Sequence, residues 1–170
     1  MASEPRRRTV VVPLQFQSRV AWRAGAAAGF VAAGVMALTI GLGNLALLRD
    51  AIAGLYLLDG SLVAGVLIHL VHGTLFGVVF AMILSDPGLY GLSQWRWKTT
   101  LAGIVYGLVL AVAGAGIIMP IWLDVVGAGV SRPIPNVTVS LLTWHVVYGT
   151  ILGVVFSQLD HEPAERTTFV

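Results

Sequence analysis

Four long apolar stretches, each flanked by charged residues, divide the chain. They cover residues 24–48, 62–84, 101–123 and 137–159. A helix that crosses about 30 Å of hydrocarbon needs about 20 mainly apolar residues, so each stretch is long enough to cross a membrane once. The pattern predicts an all-α, polytopic integral membrane protein with four transmembrane helices. The predicted parts are a basic segment at 1–23, one four-helix domain at 24–159, and a tail at 160–170.

The composition supports the same class. Hydrophobic residues make up 57% of the chain and charged residues 11%, against roughly 25% charged in soluble domains. The mean hydropathy is +0.88. A soluble fold of this size cannot bury so much apolar surface, which excludes a soluble enzyme, a disordered chain and a nucleic-acid-binding domain. Cysteine is absent, which excludes disulfides, thiolate metal sites and a cysteine nucleophile.

The basic residues indicate the orientation, because cytoplasmic loops carry an excess of lysine and arginine. Eight of the ten fall on the side of the chain termini and two on the other side. We therefore expect a protein of the cell membrane with both termini in the cytoplasm. The eight are Arg6, Arg7, Arg8, Arg19, Arg23, Arg96, Lys98 and Arg166, and the two are Arg49 and Arg132.

The second and fourth stretches resemble each other. Residues 69–80 (HLVHGTLFGVVF) and 145–156 (HVVYGTILGVVF) are identical at eight of twelve positions without a gap. The first and third stretches align more weakly, with Gly29 on Gly103 and Asp50 on Asp124. Self-similarity of this kind indicates a repeated unit. We expect two parallel two-helix repeats, at about 24–84 and 101–159, because each begins and ends in the cytoplasm.

Every predicted helix carries a GxxxG motif. Membrane helices approach closely only where small residues face each other. The pattern therefore predicts a four-helix bundle packed through glycine. The glycines are Gly25, Gly29, Gly73, Gly77, Gly103, Gly107, Gly149 and Gly153.

Three histidines lie within the predicted spans. An ionisable group inside a membrane is costly and is by default a candidate functional residue. At 100° per residue, His69, His72, Gly73 and Phe76 share one face of the second span, and His145 shares a face with Tyr148 on the fourth. We expect these histidines to point into the bundle, with His69 and His145 at equivalent positions.

Three roles for the histidines remain open at this stage. They could pin the fold through hydrogen bonds, with Thr39, Tyr106, Thr143, Tyr148 or a backbone carbonyl as partner. They could form a pathway for protons or a small solute. His69 and His145 could also ligate a b-type haem between helices. We predict no bound cofactor or metal, with the haem as an alternative.

Two aspartates, Asp50 and Asp124, occupy matched positions at the predicted outer helix ends. An aspartate at a helix C-terminus opposes the helix dipole. Capping of the following segment would explain both residues, and the alternative is a mouth that attracts cations.

The segments VHGTLFGVVFAM and WHVVYGTILGVVFS resemble those of the YagU-like group of small inner-membrane proteins. The resemblance covers about residues 65–160. It implies a small multi-span membrane protein and no catalytic residue.

The chain contains no nucleophile–base pair, phosphate-binding loop, HExxH or CxxC motif. We therefore expect a non-enzymatic membrane protein, either an accessory subunit of a larger complex or a homo-oligomer. The alternatives are a conduit for protons or a small solute that uses the histidines, and a bis-histidine haem electron carrier. The expected surroundings are the lipid bilayer, without nucleic acid.

Overall fold

The computed structural model describes residues 14–160, and side chains from residue 21 onward except that of Tyr90. Every regular element in this range is helical. Residues 1–13 and 161–170, which belong to the two predicted cytoplasmic segments, lie outside the described residues. The elements are α1 (Leu14–Ala46), a first π-helical segment (Leu47–Ile52), α2 (Leu62–Leu84), α3 (Tyr90–Ser93), α4 (Arg96–Val109), a second π-helical segment (Leu110–Ile118), α5 (Met119–Val126) and α6 (Val139–Asp160).

Four helical stretches are long and apolar enough to cross a membrane, as predicted. We name them spans 1 to 4, and they are Ala21–Ile52, Leu62–Leu84, Arg96–Val126 and Val139–Asp160. Span 3 extends beyond the predicted stretch at both ends. It stops before Gly127, whose φ of +69° is a left-handed conformation that glycine adopts without strain.

Hydroxyl side chains mark where spans 2 and 4 begin. The Oγ of Ser61 accepts a hydrogen bond from the N–H of Ala64 at 3.2 Å. Thr138 Oγ1 accepts in the same way from the N–H of Leu141 at 3.1 Å. Each side chain satisfies one of the backbone donors that a helix leaves free in its first turn.

Asn44 interrupts span 1. Its φ of −160° and ψ of 75° are not helical, and its Oδ1 accepts from the N–H of Leu47 at 3.3 Å. The chain then continues as the first π-helical segment. The carbonyl group of Leu48, in this segment, lies so close to Gly65 of span 2 that a Cβ atom on Gly65 would overlap it. The first half of residues 49–61 therefore packs into the bundle, with Ala51, Ile52 and Ala53 buried.

Pro120 shapes the far end of span 3. Proline has no N–H, so the carbonyl of Gly116 loses its helical partner. The N–H of Asn136 donates to that carbonyl instead, at 2.8 Å, from the loop that precedes span 4. The helix widens into the second π-helical segment just before the proline. The helix next to Pro120 is thus distorted into π-helical turns.

The spans pack as antiparallel neighbours, with extensive contacts between spans 1 and 2, spans 3 and 4, and spans 1 and 4. A Cβ atom at Gly29 would lie 2.8 Å from the Cα of Gly77, and one at Gly103 would lie 3.0 Å from the nitrogen of Gly153. At each of the eight GxxxG glycines, an added Cβ atom would lie less than 3.0 Å from an atom of the other span in the same hairpin.

The two ends of the bundle differ. We call the end that holds residues 14, 85–95 and 160 the termini end, and the end that holds residues 53–61 and 127–138 the loop end. The half nearer the termini end is filled by large side chains. Phe80 and Phe156, which are 1% and 2% exposed, meet edge to face with ring centroids 5.5 Å apart. Leu84 and Leu152 are also buried there.

Candidate functional site

The half nearer the loop end encloses a cavity of about 530 Å³. All four spans contribute to its wall, and the surface they present is mainly apolar. The second π-helical segment forms much of one side. The wall includes Met36 and Ile40 of span 1, His69, His72 and Phe76 of span 2, Leu110, Gly114 and Met119 of span 3, and Trp144, His145 and Tyr148 of span 4.

The cavity opens sideways between spans 2 and 3. Phe76, Val109 and Ile118 line it and are nevertheless exposed, Val109 by 56% and Ile118 by 63%. These residues belong to apolar spans, so the opening faces the region where a bilayer holds hydrocarbon. On the loop-end side of the opening, the indole N–H of Trp122 donates to the carbonyl of Leu55 at 2.9 Å. This bond ties the 53–61 loop to span 3.

His72 and His145 are oriented by their own helices. Their Nδ1 atoms lie 2.9 Å from the carbonyl oxygens of Ile68 and Leu141. A carbonyl can only accept, so Nδ1 carries the proton and Nε2 of the neutral ring is an acceptor. The Nε2 of His72 accepts from the hydroxyl of Tyr56 at 3.3 Å. The Nε2 of His145 is left as an acceptor at the cavity wall.

His69 differs from the other two histidines. The carbonyl of Ala33 on span 1 faces its ring, but Nε2 is buried and no described group makes a hydrogen bond with it. A buried polar atom without a partner costs about 1–3 kcal/mol. Such an atom on a cavity wall is a point at which a bound molecule can gain affinity.

Two tyrosines hold span 2 through its backbone. The hydroxyl of Tyr148 donates to the carbonyl of Gly73 at 2.7 Å, and that of Tyr106 donates to the carbonyl of Phe76 at 3.0 Å. Thr39 and Thr143 donate to carbonyls of their own helices. The four side chains expected as histidine partners therefore bond elsewhere. The partners present are backbone carbonyls, which were expected, and Tyr56, which was not.

The structure gathers His69, His72, His145 and Tyr148 at one cavity. It does not place Asp50 or Asp124 there. Asp50 lies within the first π-helical segment and caps no helix; its carboxylate accepts from Arg49 at 2.8 and 2.9 Å and also meets the backbone N–H of Gly60. Asp124 is exposed within α5 and precedes the end of that helix, so the expected capping role is wrong for both residues.

Two aromatic side chains at the opening, Tyr56 and Trp122, are not singled out by the sequence pattern. Both line the cavity, and both form hydrogen bonds with distant residues. The sequence does contain one indication of polar contacts in this region. Asn44 and Asn136 lie within or beside apolar stretches, where an amide side chain must find hydrogen-bond partners.

The described residues contain no group of three or more histidine, cysteine, aspartate or glutamate side chains that could hold a metal ion. The cavity instead presents an apolar wall with a few nitrogen and hydroxyl groups at fixed positions. Such a surface suits an apolar molecule with one or two hydrogen-bonding groups.

Compared with models of known protein families, with curated proteins and with solved structures, the chain has no match in any of the three. We therefore infer its function from its residues and their geometry.

Proposed function

We propose that this chain is a membrane protein that binds a lipid-soluble molecule in the cavity between its four spans. The observation that carries the proposal is the sideways opening between spans 2 and 3, which leads to the unpaired Nε2 of His69. A molecule dissolved in the bilayer can enter there without crossing water. The cavity volume of about 530 Å³ lies within the range of about 300–1,000 Å³ that is usual for ligand pockets.

The nitrogen atoms indicate the chemical class of the ligand. His145 offers an acceptor at Nε2. The carbonyl of Ala33 faces the ring of His69, whose Nε2 has no partner, so Nδ1 of His69 carries the proton and its Nε2 is also an acceptor. A hydroxyl group can donate to either ring. We therefore propose an apolar ligand that carries a hydroxyl group.

The filled half of the bundle favours binding over passage. Phe80, Phe156 and Leu152 close the bundle between the cavity and the termini end. A conduit for protons or solutes would have to cross this packed layer.

The haem alternative requires that His69 and His145 ligate the same iron. A Soret band in the purified protein, with sharp bands after dithionite reduction, would favour the haem over the ligand proposed here.

We also propose an orientation for the chain in the membrane. The described basic residues at the termini end include Arg23, Arg96 and Lys98, whereas Arg49 and Arg132 lie at the loop end. This asymmetry supports cytoplasmic termini and an outward-facing loop end in the cell membrane.

Two parallel repeats and a bundle packed through glycine complete the proposed architecture. Gly29 meets Gly73 and Gly77, and the aligned Gly103 meets Gly149 and Gly153, so the two hairpins make equivalent contacts. The likeness to the YagU-like group is likewise a proposal, based on the two similar segments. Because binding requires no catalysis, we propose a non-enzymatic role as an accessory subunit or a homo-oligomer.

The proposal predicts that filling the cavity blocks binding. A Cβ at Gly114 would meet no atom within 4 Å, and this residue lines the cavity, so Gly114→Leu places a side chain in the ligand's space. With a long-chain alcohol that carries a photoreactive diazirine as the probe, we expect labelling at a fixed probe concentration to fall about tenfold.

Gly34→Leu is the matched control. A Cβ at Gly34 also meets nothing within 4 Å, but Gly34 does not line the cavity. We expect this variant to be labelled like the unmodified protein. Equal labelling of the two variants, with both folded, would refute binding in the cavity.

A further inference from the structure

A second cavity, of about 480 Å³, lies at the loop end beside the first. It occupies the space between the interruption of span 1 and the beginning of span 4. Its wall is much more polar than that of the first cavity. Six side chains supply the polar groups, and they are Asn44, Arg132, Asn136, Thr138, Ser140 and Thr143.

Arg132 brings a positive charge to this cavity, and the carboxylate that acts on it, Asp50, is already paired with Arg49. The Nε of Arg132 is buried and has no hydrogen-bond partner. Arg49 forms an ion pair with Asp50 at 2.8 Å, and this pair uses both oxygens of that carboxylate. The guanidinium of Arg132 is always charged, so the cavity is suited to an anion.

The surrounding groups favour an oxyanion. A guanidinium presents several N–H donors in a planar fork that matches phosphate and carboxylate oxygens. The side chains of Asn44, Asn136 and Ser140 add neutral donors around the same space. The first turn of span 4 points backbone N–H groups toward this end of the helix, which adds to the favourable potential.

The two cavities adjoin. Leu47, Asn136, Leu141 and Trp144 line both of them. One molecule can therefore place a charged group in the polar cavity and an apolar chain in the other. The polar cavity lies at the end of the spans, which is the depth at which a bilayer holds its phosphate groups.

From these observations we infer that the ligand is an anionic amphiphile, with its phosphate group on Arg132 and its apolar chain in the cavity between the spans. The inference rests on the proposed function for the chain, and adds the class of the headgroup. The same phosphate chemistry could come from a free ion, so the experiment separates the two sources.

The test compares three probes by native mass spectrometry of the protein in detergent micelles. They are phosphatidylglycerol, diacylglycerol with the same acyl chains, and inorganic phosphate. We expect phosphatidylglycerol to bind about tenfold more tightly than diacylglycerol, as a charge-assisted contact predicts. Arg132→Gln should abolish this preference and leave diacylglycerol binding unchanged. Arg132→Lys, which keeps the charge, should retain part of it.

Arg49→Gln is the matched control, because it removes a basic residue at the same end that already has a carboxylate partner. It should leave the preference intact. Failure of both lipids to bind the unmodified protein would contradict the proposed function itself. Binding of both lipids with equal affinity, or equal effects of the two glutamine variants, would overturn only the headgroup inference. Binding of inorganic phosphate alone, lost in Arg132→Gln, would assign the site to a free anion and overturn the lipid assignment.

Discussion

Replacing Gly29 with leucine is expected to separate spans 1 and 2 and to lower the free energy of unfolding in detergent micelles by about 3 kcal/mol or more. Even a Cβ at this position would lie 2.8 Å from the Cα of Gly77 and 3.1 Å from its nitrogen. These are backbone atoms, which can move only if the whole span moves. Denaturant titration followed by circular dichroism measures the change.

Three further variants make this prediction sharper. Gly29→Ala adds a single methyl group and should still fold, with a loss of about 1–3 kcal/mol. Gly103→Ala should cost about as much, because Gly103 meets Gly149 and Gly153 in the same way in the other hairpin. Gly34→Leu lies in the same helix as Gly29 and has open space around it, so it should change stability little. If Gly29→Leu and Gly34→Leu were equally stable, the glycine contacts would not hold the bundle together.

Replacing His69 with leucine is expected to change stability and binding in opposite directions. The substitution removes a buried nitrogen that has no hydrogen-bond partner, so the ligand-free protein should gain about 1 kcal/mol. The ligand loses its contact with the ring at the same time, so labelling by the photoreactive alcohol should fall about tenfold. Denaturant titration and labelling of the same preparation measure the two effects.

His72→Leu is the control for this prediction. Both nitrogens of His72 have partners, the carbonyl of Ile68 and the hydroxyl of Tyr56. Its replacement should therefore lower stability. If His69→Leu destabilises the protein as much as His72→Leu and leaves labelling unchanged, His69 serves the fold and not a ligand.

The hydropathy pattern was sufficient to predict the four spans, because each is a continuous apolar stretch with charged residues near its ends. Helical periodicity also placed His69, His72, His145 and Tyr148 on interior faces, and all four line the cavity. It placed Phe76 there as well. Phe76 lines the cavity too, but it is partly exposed at the opening.

The cavity could not be predicted from the pattern of residues. Its wall includes the π-helical turns of residues 110–118, and a contact between distant segments forms beside these turns. The carbonyl of Gly116, freed by Pro120, finds its donor in Asn136 only when the loop before span 4 folds over it. The roles expected for Asp50 and Asp124 failed for a similar reason, since periodicity shows neither the ion pair with Arg49 nor the true end of α5.

The most direct test of the central claim is to map where the photoreactive alcohol attaches in the unmodified protein, in its native membrane. We predict crosslinks concentrated on the peptides that line the cavity, at Phe76 in span 2 and near Gly114 in span 3, and competed by an excess of unlabelled alcohol. Crosslinks spread evenly over exposed surface positions such as Leu38, Leu42 and Val63, without competition, would contradict a binding site between the spans.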